Sequence, residues 1–278
     1  MLIPLSPYPA ALIKTEKARI IVIADLHIGW EIELSQNGIH VPTQTPKLLA
    51  RLEALLSEYK PTKLVILGDV KHTVAKAEMG EWRDVPDFFN NLKNRVQDIV
   101  VIRGNHDGNL EPLLPESVRL LAATGEIIAN VGFFHGHQWP SPGLLKCKTL
   151  VMGHAHPVVA LRDAAGFRMI RQVWVKARYD RTLLARALKQ RRVMGAEKTK
   201  LRETEAGQRS NSADAKLFIM PSFNDFLGGR PINESVAGTT KTATGPLLRS
   251  NAVDIENAET YLLDGTFLGL ISQLKTFN

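Results

Sequence analysis

The positions of the histidines constrain this chain more than any other feature. Seven of the eight histidines follow shortly after a short apolar run, and these runs (residues 20–24, 63–67, 99–102, 132–134 and 150–152) are typical of buried strands. In open α/β sheets the loops after the carboxyl ends of the strands meet at one edge. We therefore expect the polar clusters after these runs to converge: Asp25-Leu26-His27, Gly68-Asp69, Gly104-Asn105-His106-Asp107, His135-Gly136-His137 and Gly153-His154-Ala155-His156.

The order of the elements predicts an α/β fold with two sheets. Helical patterns over residues 48–56 and 82–92 separate the first three strands, which indicates a parallel sheet. After about residue 109 the predicted strands follow one another closely and favour a second, mixed sheet packed on the first: 118–121, 126–130, 158–161, 169–175, 217–220, 259–263 and 267–270. With 278 residues and 44% hydrophobic content, the chain can bury one large core, and we predict a single domain over residues 1–278.

Charge is concentrated in one segment. Residues 176–209 hold eleven Lys or Arg against four acidic residues, an excess equal to the net charge of +7 of the whole chain. Residues 181–194 have the spacing of a basic amphipathic helix, and residues 195–214 are polar, so we interpret residues 176–214 as a basic, partly helical and mobile insertion. Such a segment could bind nucleic acid by neutralising phosphates, or it could be an ordinary solvated helix.

Composition also excludes some classes of protein. No apolar run approaches the roughly 20 residues that a membrane-spanning helix needs, and the first residues lack a leader pattern, so we expect a soluble cytoplasmic protein without a membrane partner. The single cysteine, Cys147, cannot form an internal disulfide and is expected to be a buried thiol.

The clustered side chains are metal ligands by type. Carboxylates, imidazoles and one amide oxygen together suit Mn²⁺, Fe or Zn²⁺ better than Ca²⁺ alone. No cysteine lies in the clusters, which disfavours a structural zinc site.

The clusters resemble the signature of the calcineurin-like metallophosphoesterases: D-x-H, GD, GNHD, a later His and GH-x-H, in this order between residues 25 and 156. The resemblance implies a four-layer αββα sandwich and two divalent cations, Mn²⁺ foremost, with Fe, Zn²⁺ or Ni²⁺ as alternatives. It implies that Asp25, His27 and His156 hold one cation, that Asn105, His135 and His154 hold the other, and that Asp69 bridges both.

The same resemblance implies a mechanism without a covalent intermediate. A hydroxide shared by the two cations attacks phosphorus in line, and His106 protonates the leaving oxygen or stabilises it as imidazolium. Asp107 would orient His106.

Several other residues lie close in sequence to the expected ligands and are candidates for a substrate pocket. They are Glu31, His72, His137, Ser222 and Asn224. His135 and His137 follow the same strand, and the resemblance favours His135 as the ligand. For each pocket candidate a role in packing, a turn or the solvated surface is the alternative.

The residues around and beyond the motifs narrow the family resemblance to one group of phosphoesterases. Protein Ser/Thr phosphatases carry Asp-Arg-Gly after the second motif, where this chain has Val70-Lys71-His72. The blocks DLHIGWE, GDVKH and PSFNDFLGG resemble small prokaryotic and archaeal phosphoesterases associated with DNA ligase or repair helicases. This implies a phosphodiesterase or nuclease acting on nucleic acid or a nucleotide diester, with a helicase or ligase as partner. A phosphomonoesterase of small substrates and a scaffold without catalysis are the alternatives.

Overall fold

The first sheet carries three of the five polar clusters. In the computed structural model, which describes residues 1–163, 165–195, 215–234 and 245–275, this sheet has six strands in chain order. The first three strands pair antiparallel and the third to sixth pair parallel. The strands are β1 (Leu2–Pro4), β2 (Ala11–Lys14), β3 (Arg19–Ile23), β4 (Lys63–Ile66), β5 (Asp98–Ile102) and β6 (Val118–Leu121).

Three helices connect these strands: α1 (Trp30–Gln36), α2 (Thr45–Tyr59) and α3 (Met79–Leu92). Leu52 of α2 and Phe88 of α3 are fully buried in one cluster with Ile21 and Ile23 of β3. Because side chains alternate along a strand, the intervening Val22 faces the opposite side of the sheet. The strand is apolar on both faces, as a sheet covered on both sides requires.

The second sheet has nine strands: β7 (Glu126–Ile128), β8 (Val131–Phe134), β9 (Thr149–Met152), β10 (Pro157–Arg162), β11 (Arg168–Tyr179), β12 (Lys216–Ile219), β13 (Arg230–Pro231), β14 (Val253–Leu262) and β15 (Phe267–Leu270). They run in the order β13-β10-β11-β12-β9-β8-β7, with β14 paired to β11 and to β15. The helices of this half are α4 (Arg181–Gly195), α5 (Gly245–Leu248) and α6 (Ile271–Leu274).

The two sheets pack face to face, and helices cover their outer faces. Val22 and Val65 of the first sheet share a buried cluster with Phe133, Val151 and Trp174 of the second. A third cluster joins the outer face of the second sheet to the helices that follow β11: its members include Leu150, Leu184, Leu188, Leu247 and Ile271. The predicted four-layer α/β sandwich is therefore confirmed.

The segment that the sequence marks as a basic insertion begins inside the fold. Strand β11 continues to Tyr179, and Ala177 and Tyr179 are buried, so residues 176–179 belong to the second sheet. Leu184 and Leu188 of α4 are buried, whereas Arg186, Lys189 and Arg191 are exposed. The rest of the predicted mobile segment, residues 196–214, lies outside the described residues. Strands β1 and β2 and helix α1 were not predicted from the sequence.

Two further expectations concern Cys147 and membrane-spanning helices. Cys147 is a buried free thiol, as predicted. Within the described ranges, no helix has the length and apolar character needed to span a bilayer.

Candidate metal centre

The five polar clusters follow strands β3, β4, β5, β8 and β9, which are parallel neighbours within their sheets. The loops after them turn sharply. The backbone is left-handed at five residues other than glycine, with φ between 41° and 66°: Asp25, His27, Asp69, His154 and His156. A positive φ is uncommon for such residues and costs about 1–3 kcal/mol when the conformation is strained, and such strain is found chiefly at functional sites.

Two glycines of the motifs leave room for the clustered side chains. A Cβ atom on Gly68, whose φ is +75°, would lie 2.5 Å from His135 Nδ1. A Cβ atom on Gly104 would collide with the backbone nitrogen and the carboxylate of Asp69. Glycine is therefore required at both positions if Asp69 and His135 are to approach each other.

The turns bring the clustered side chains into two groups that share one carboxylate. In the first group the ligand atoms of Asp25, His27, Asp69 and His156 lie within 4.8 Å of one another. In the second group the same holds for Asp69, His135 and His154. The structure therefore brings together six of the seven residues predicted to bind metal, in two sets.

One oxygen of Asp69 faces both groups. Its Oδ2 lies 3.4 Å from His27 Nε2 and 3.3 Å from His135 Nε2. Asn105, the seventh predicted ligand, places its Oδ1 3.1 Å from the same His135 Nε2. His135 Nδ1 lies 2.6 Å from the carbonyl oxygen of Leu67, which can only accept. Nδ1 therefore carries a proton, and Nε2 is the ring nitrogen that faces Asp69 and Asn105.

The chemistry of these donors fits divalent cations. Among the described residues, Nε2 of His27 and Nε2 of His156 are buried and make no hydrogen bond. Buried polar atoms are rarely left without a partner, and each of these nitrogens faces a carboxylate oxygen at 3.4 Å. Imidazole nitrogens, carboxylates and an amide oxygen, with no sulfur, suit Mn²⁺, Fe²⁺, Ni²⁺ or Zn²⁺.

The electrostatics of the centre favour charged carboxylates. Burial tends to raise the pKa of Asp25 and Asp69, but neighbouring histidines outweigh burial and lower both. Burial tends to lower the pKa of His135, and Asp69 and Asp25 outweigh it and raise the pKa to about 9. Burial lowers the pKa of His27 and of His154 to about 4, so both rings are neutral at neutral pH.

Asp107 stabilises the loops that carry these ligands. Its Oδ2 accepts hydrogen bonds from the backbone N–H groups of Asp69 at 2.8 Å and Gly104 at 2.7 Å, and its Oδ1 accepts one from Val70 at 2.8 Å. Burial raises its pKa to about 6. The sequence predicts that Asp107 orients His106. In the structure both of its oxygens instead accept from backbone N–H groups of two loops that carry predicted ligands.

We expect Asp107→Ala to lower the free energy of unfolding of the metal-free protein. Three buried N–H groups would lose their acceptor, and each such loss costs about 1–3 kcal/mol, so the total is about 3 kcal/mol or more. Urea unfolding of the two proteins measures the difference. Asp107→Asn keeps one oxygen acceptor and should lose less, and equal stability of wild type and Asp107→Ala would contradict this role.

His106 lies beside the first group. Its backbone N–H donates to Asp69 Oδ1 at 2.9 Å, and its Nδ1 donates to the carbonyl oxygen of His72. The His106 ring is T-shaped against the ring of His27, with centroids 4.6 Å apart. The ring is thus held next to His27, a predicted ligand, by contacts that use the backbone N–H and Nδ1 of His106.

The five predicted pocket residues occupy three places in the structure. His72 and His137 lie in the centre: His72 Nδ1 is 3.1 Å from His27 Nδ1, and the His137 ring is 5.2 Å from the His135 ring. Burial lowers the pKa of His137 to about 4. Glu31 is buried on α1.

Ser222 and Asn224 make hydrogen bonds that stabilise the loop between Asp25 and His27. Both are buried, and Asn224 Nδ2 donates to the carbonyl oxygen of Leu26 at 3.0 Å. The Ser222 hydroxyl donates to the carbonyl oxygen of Asn224 and accepts from Gln172 Nε2, each at 3.0 Å. The side chain of Asn224 thus holds the loop that contains Leu26, and the side chain of Ser222 holds Asn224.

Sequence reasoning missed three residues at this edge. Glu33 accepts a hydrogen bond from the ring of His72. Trp30 and Phe226 form an aromatic contact with centroids 6.0 Å apart. Trp30 and Phe226 lie in the blocks DLHIGWE and PSFNDFLGG, whereas Glu33 lies outside both. Each contact joins residues that are far apart in the chain, so no local pattern indicated it.

The two-sheet fold and the paired ligand groups define a metal-dependent hydrolase. The family model of the calcineurin-like phosphoesterases matches residues 18–185, and the chain belongs to this family. No match was found among the curated proteins.

Two solved structures are similar to this chain. The nuclease MPE of Pseudomonas putida has 21% sequence identity and a TM-score of 0.51, and the alignment covers 95% of this chain and 96% of that one. The phosphoesterase YfcE of E. coli has 22% identity and a TM-score of 0.33, with 52% of this chain and 74% of that one covered.

Proposed function

We propose that this protein is a two-metal phosphodiesterase that cleaves nucleic acid or a nucleotide diester. The observation that carries the proposal is the position of Asp69 Oδ2, which lies 3.4 Å and 3.3 Å from one histidine of each ligand group. A shared carboxylate oxygen lets two cations bind side by side, at about 3.5–4 Å in two-metal sites, because its charge offsets their repulsion.

The candidate ligands divide into two sets, one for each cation. Asp25, His27 and His156 would hold one, Asn105, His135 and His154 the other, and Asp69 both; we propose Mn²⁺, with Fe, Zn²⁺ and Ni²⁺ as alternatives. Bound there, the pair of cations supplies an acidified water and neutralises the charge of a phosphate group. His137 Nδ1, buried without a hydrogen bond among the described residues, faces the same region and is a candidate contact for the substrate.

His106 is the proposed general acid. The carbonyl oxygen of His72 accepts the proton on Nδ1, so the protonated ring presents its second proton at Nε2. Donation of this proton to the leaving oxygen neutralises the alkoxide that forms as the phosphorus–oxygen bond breaks. The proton is returned to the ring from solvent before the next turnover.

The positions of Trp30 and Phe226 favour a substrate that contains nucleobases. The Trp30 backbone N–H donates to the carbonyl oxygen of His27, and the Phe226 N–H donates to Asn224 Oδ1, so both rings are attached to the loops around the centre. Phe226 is 39% exposed, and Lys47 Nζ lies 4.5 Å from its ring centroid. Aromatic faces beside a cation are the usual platform for a single-stranded base and its phosphate.

Removing either ring should weaken binding of a polynucleotide selectively. Base stacking contributes about 1–3 kcal/mol, so we expect Trp30→Ala and Phe226→Ala to raise KM for an oligonucleotide by roughly fivefold to a hundredfold. Hydrolysis of a small generic diester should change little, because such a substrate has no base to stack. Steady-state kinetics with both substrates measure the effect. Phe167→Ala, at an exposed site in the β10–β11 turn, is the control.

Two further observations support nucleic acid as the substrate. Helix α4 presents the exposed side chains of Arg186, Lys189 and Arg191, which could neutralise phosphates or contact a DNA-repair helicase or ligase. The solved protein that shares the fold over 95% of this chain is a nuclease.

A hydrolysis panel tests the proposal. The full chain, supplemented in turn with each divalent cation, is given a generic monoester, a generic diester, cyclic nucleotides, and single- and double-stranded oligonucleotides. We expect turnover of diesters, and of at least one class of nucleotide diester. Turnover of monoesters alone would overturn the proposal, and two bound cations without turnover of any ester would indicate a scaffold.

A further inference from the structure

Three side chains form a hydrogen-bonded series that ends at a proposed metal ligand. Glu33 Oε2 lies 2.5 Å from His72 Nε2, and His72 Nδ1 lies 3.1 Å from His27 Nδ1. The other nitrogen of His27, Nε2, is buried among the ligands of the first group and makes no hydrogen bond with the described residues. We call Glu33, His72 and His27 the histidine chain.

Hydrogen-bond roles along the histidine chain follow from its outer end. An ionised carboxylate can only accept, so Glu33 requires a proton on His72 Nε2. With its single proton on Nε2, the His72 ring has a lone pair on Nδ1, which can accept only if His27 Nδ1 carries the proton. The neutral His27 ring is left with its lone pair on Nε2, which is the atom that faces Asp69 Oδ2 at 3.4 Å.

We propose that Glu33 and His72 are positioning residues that hold His27 in the tautomer able to bind a cation through Nε2. Metal-binding histidines commonly donate their second ring N–H to an acceptor, which orients the ring and strengthens the ligand. Here the acceptor is a second histidine, and a carboxylate on α1 determines its tautomer. The inference rests on the proposed metal centre, since it concerns one ligand of that centre.

The position of His72 in the fold supports this role over a direct contact with substrate. Both ring nitrogens of His72 are engaged, one by Glu33 and one by His27. Its backbone N–H donates to Glu81 Oε1 at 2.9 Å, and Glu81 is fully buried. The ring therefore has a defined backbone anchor and no nitrogen left for a phosphate.

His27, His72 and His106 also place ring nitrogens within 4.8 Å of one another, which is the arrangement of a third cation site. The histidine chain and a third cation exclude each other, because a cation between His27 and His72 needs a lone pair on both Nδ1 atoms. The number of cations bound per chain distinguishes the two.

The test compares variants of the full chain by Mn²⁺ titration calorimetry. In wild type we expect two cations per chain. His72→Ala should weaken the binding of one of them by about tenfold to a hundredfold, which is the usual effect of removing the partner of a metal-binding histidine. Glu33→Ala should weaken the same cation by a smaller factor, because Glu33 is 62% exposed and acts through His72.

Variants that keep a hydrogen-bond acceptor distinguish control of the His27 tautomer from a general loss of packing. In His72→Asn the side-chain Oδ1 takes the place of Nδ1 and can still accept from His27, so most of the affinity should return. Glu33→Gln likewise keeps an acceptor for His72. His40→Ala, which removes an exposed histidine bonded to Ser35, is the matched control and should bind Mn²⁺ as wild type does.

Nitrogen NMR of the Zn²⁺-loaded chain reads the tautomers directly. We expect His72 to carry its proton on Nε2 and His27 on Nδ1. A His72 ring protonated at Nδ1, a third cation per chain, or unchanged Mn²⁺ affinity in His72→Ala would overturn the inference. These outcomes leave the proposed function intact when wild type binds two cations and cleaves diesters, whereas a wild type that binds no pair of cations would defeat both.

Discussion

Replacing Asp69 by asparagine is expected to remove the pair of cations and with it almost all activity. The substituted side chain is neutral, so the repulsion between two cations that approach its Oδ position is no longer offset. We expect fewer than two cations per chain and a fall in turnover of at least about a thousandfold, which corresponds to about 4 kcal/mol of transition-state stabilisation.

Metal analysis of the dialysed protein, together with kinetics of diester hydrolysis, measures both effects. Asp98→Asn is the matched control. Asp98 lies at the start of β5, at the opposite end of the strand from the ligands, where it pairs with Lys63 and Arg119. The control should bind two cations, and a pair of cations retained in Asp69→Asn would contradict the bridging role.

His106→Ala is expected to lower turnover with the cations still bound. The contact between His106 and Asp69 is made by the backbone N–H, which the substitution keeps. The lost ring removes the proposed proton donor, and general acid catalysis contributes about a hundredfold to ten-thousandfold. Turnover should fall by this factor while the metal content stays at two per chain.

The choice of leaving group makes this test specific. A nitrophenolate leaves without protonation, so the His106→Ala defect should shrink with a nitrophenyl diester and remain large with a nucleotide diester. His106→Asn keeps a donor towards the carbonyl oxygen of His72 and controls for the lost contact. An equal defect with both leaving groups would contradict the role as general acid and indicate a role in binding.

The sequence and the structure agree best where local chemistry decides. The apolar runs before Asp25, Asp69 and His135 are the strands β3, β4 and β8, because a strand buried on both faces has to be apolar throughout. Gly68, with a φ of 75°, permits the sharp turn before Asp69. Gly153 leaves room for Asp25, since a Cβ there would lie 2.8 Å from Asp25 Oδ2. The convergence of the polar clusters at one edge could therefore be predicted from spacing, whereas their division into two ligand sets came from the family resemblance.

The sequence did not predict contacts between residues that are distant in the chain. Glu33 and His72 are both ordinary polar residues in the sequence, and only the packing of α1 beside the loop after β4 brings them within 2.5 Å. Asp107 follows His106 directly, which favours a role beside it. Its carboxylate instead binds the N–H groups of Asp69 and Val70, in a loop that is distant in the chain.

The sequence by itself determined the class of fold, the edge of the sheets at which the polar clusters gather and the types of the candidate ligands, because strand periodicity, turn residues and ligand chemistry are local properties. Only the tertiary structure decided that one oxygen of Asp69 faces both His27 and His135. It also decided that Glu33 is hydrogen-bonded to His72, and His72 to His27. Distances between separate loops are set by how two sheets pack, and no local pattern encodes them.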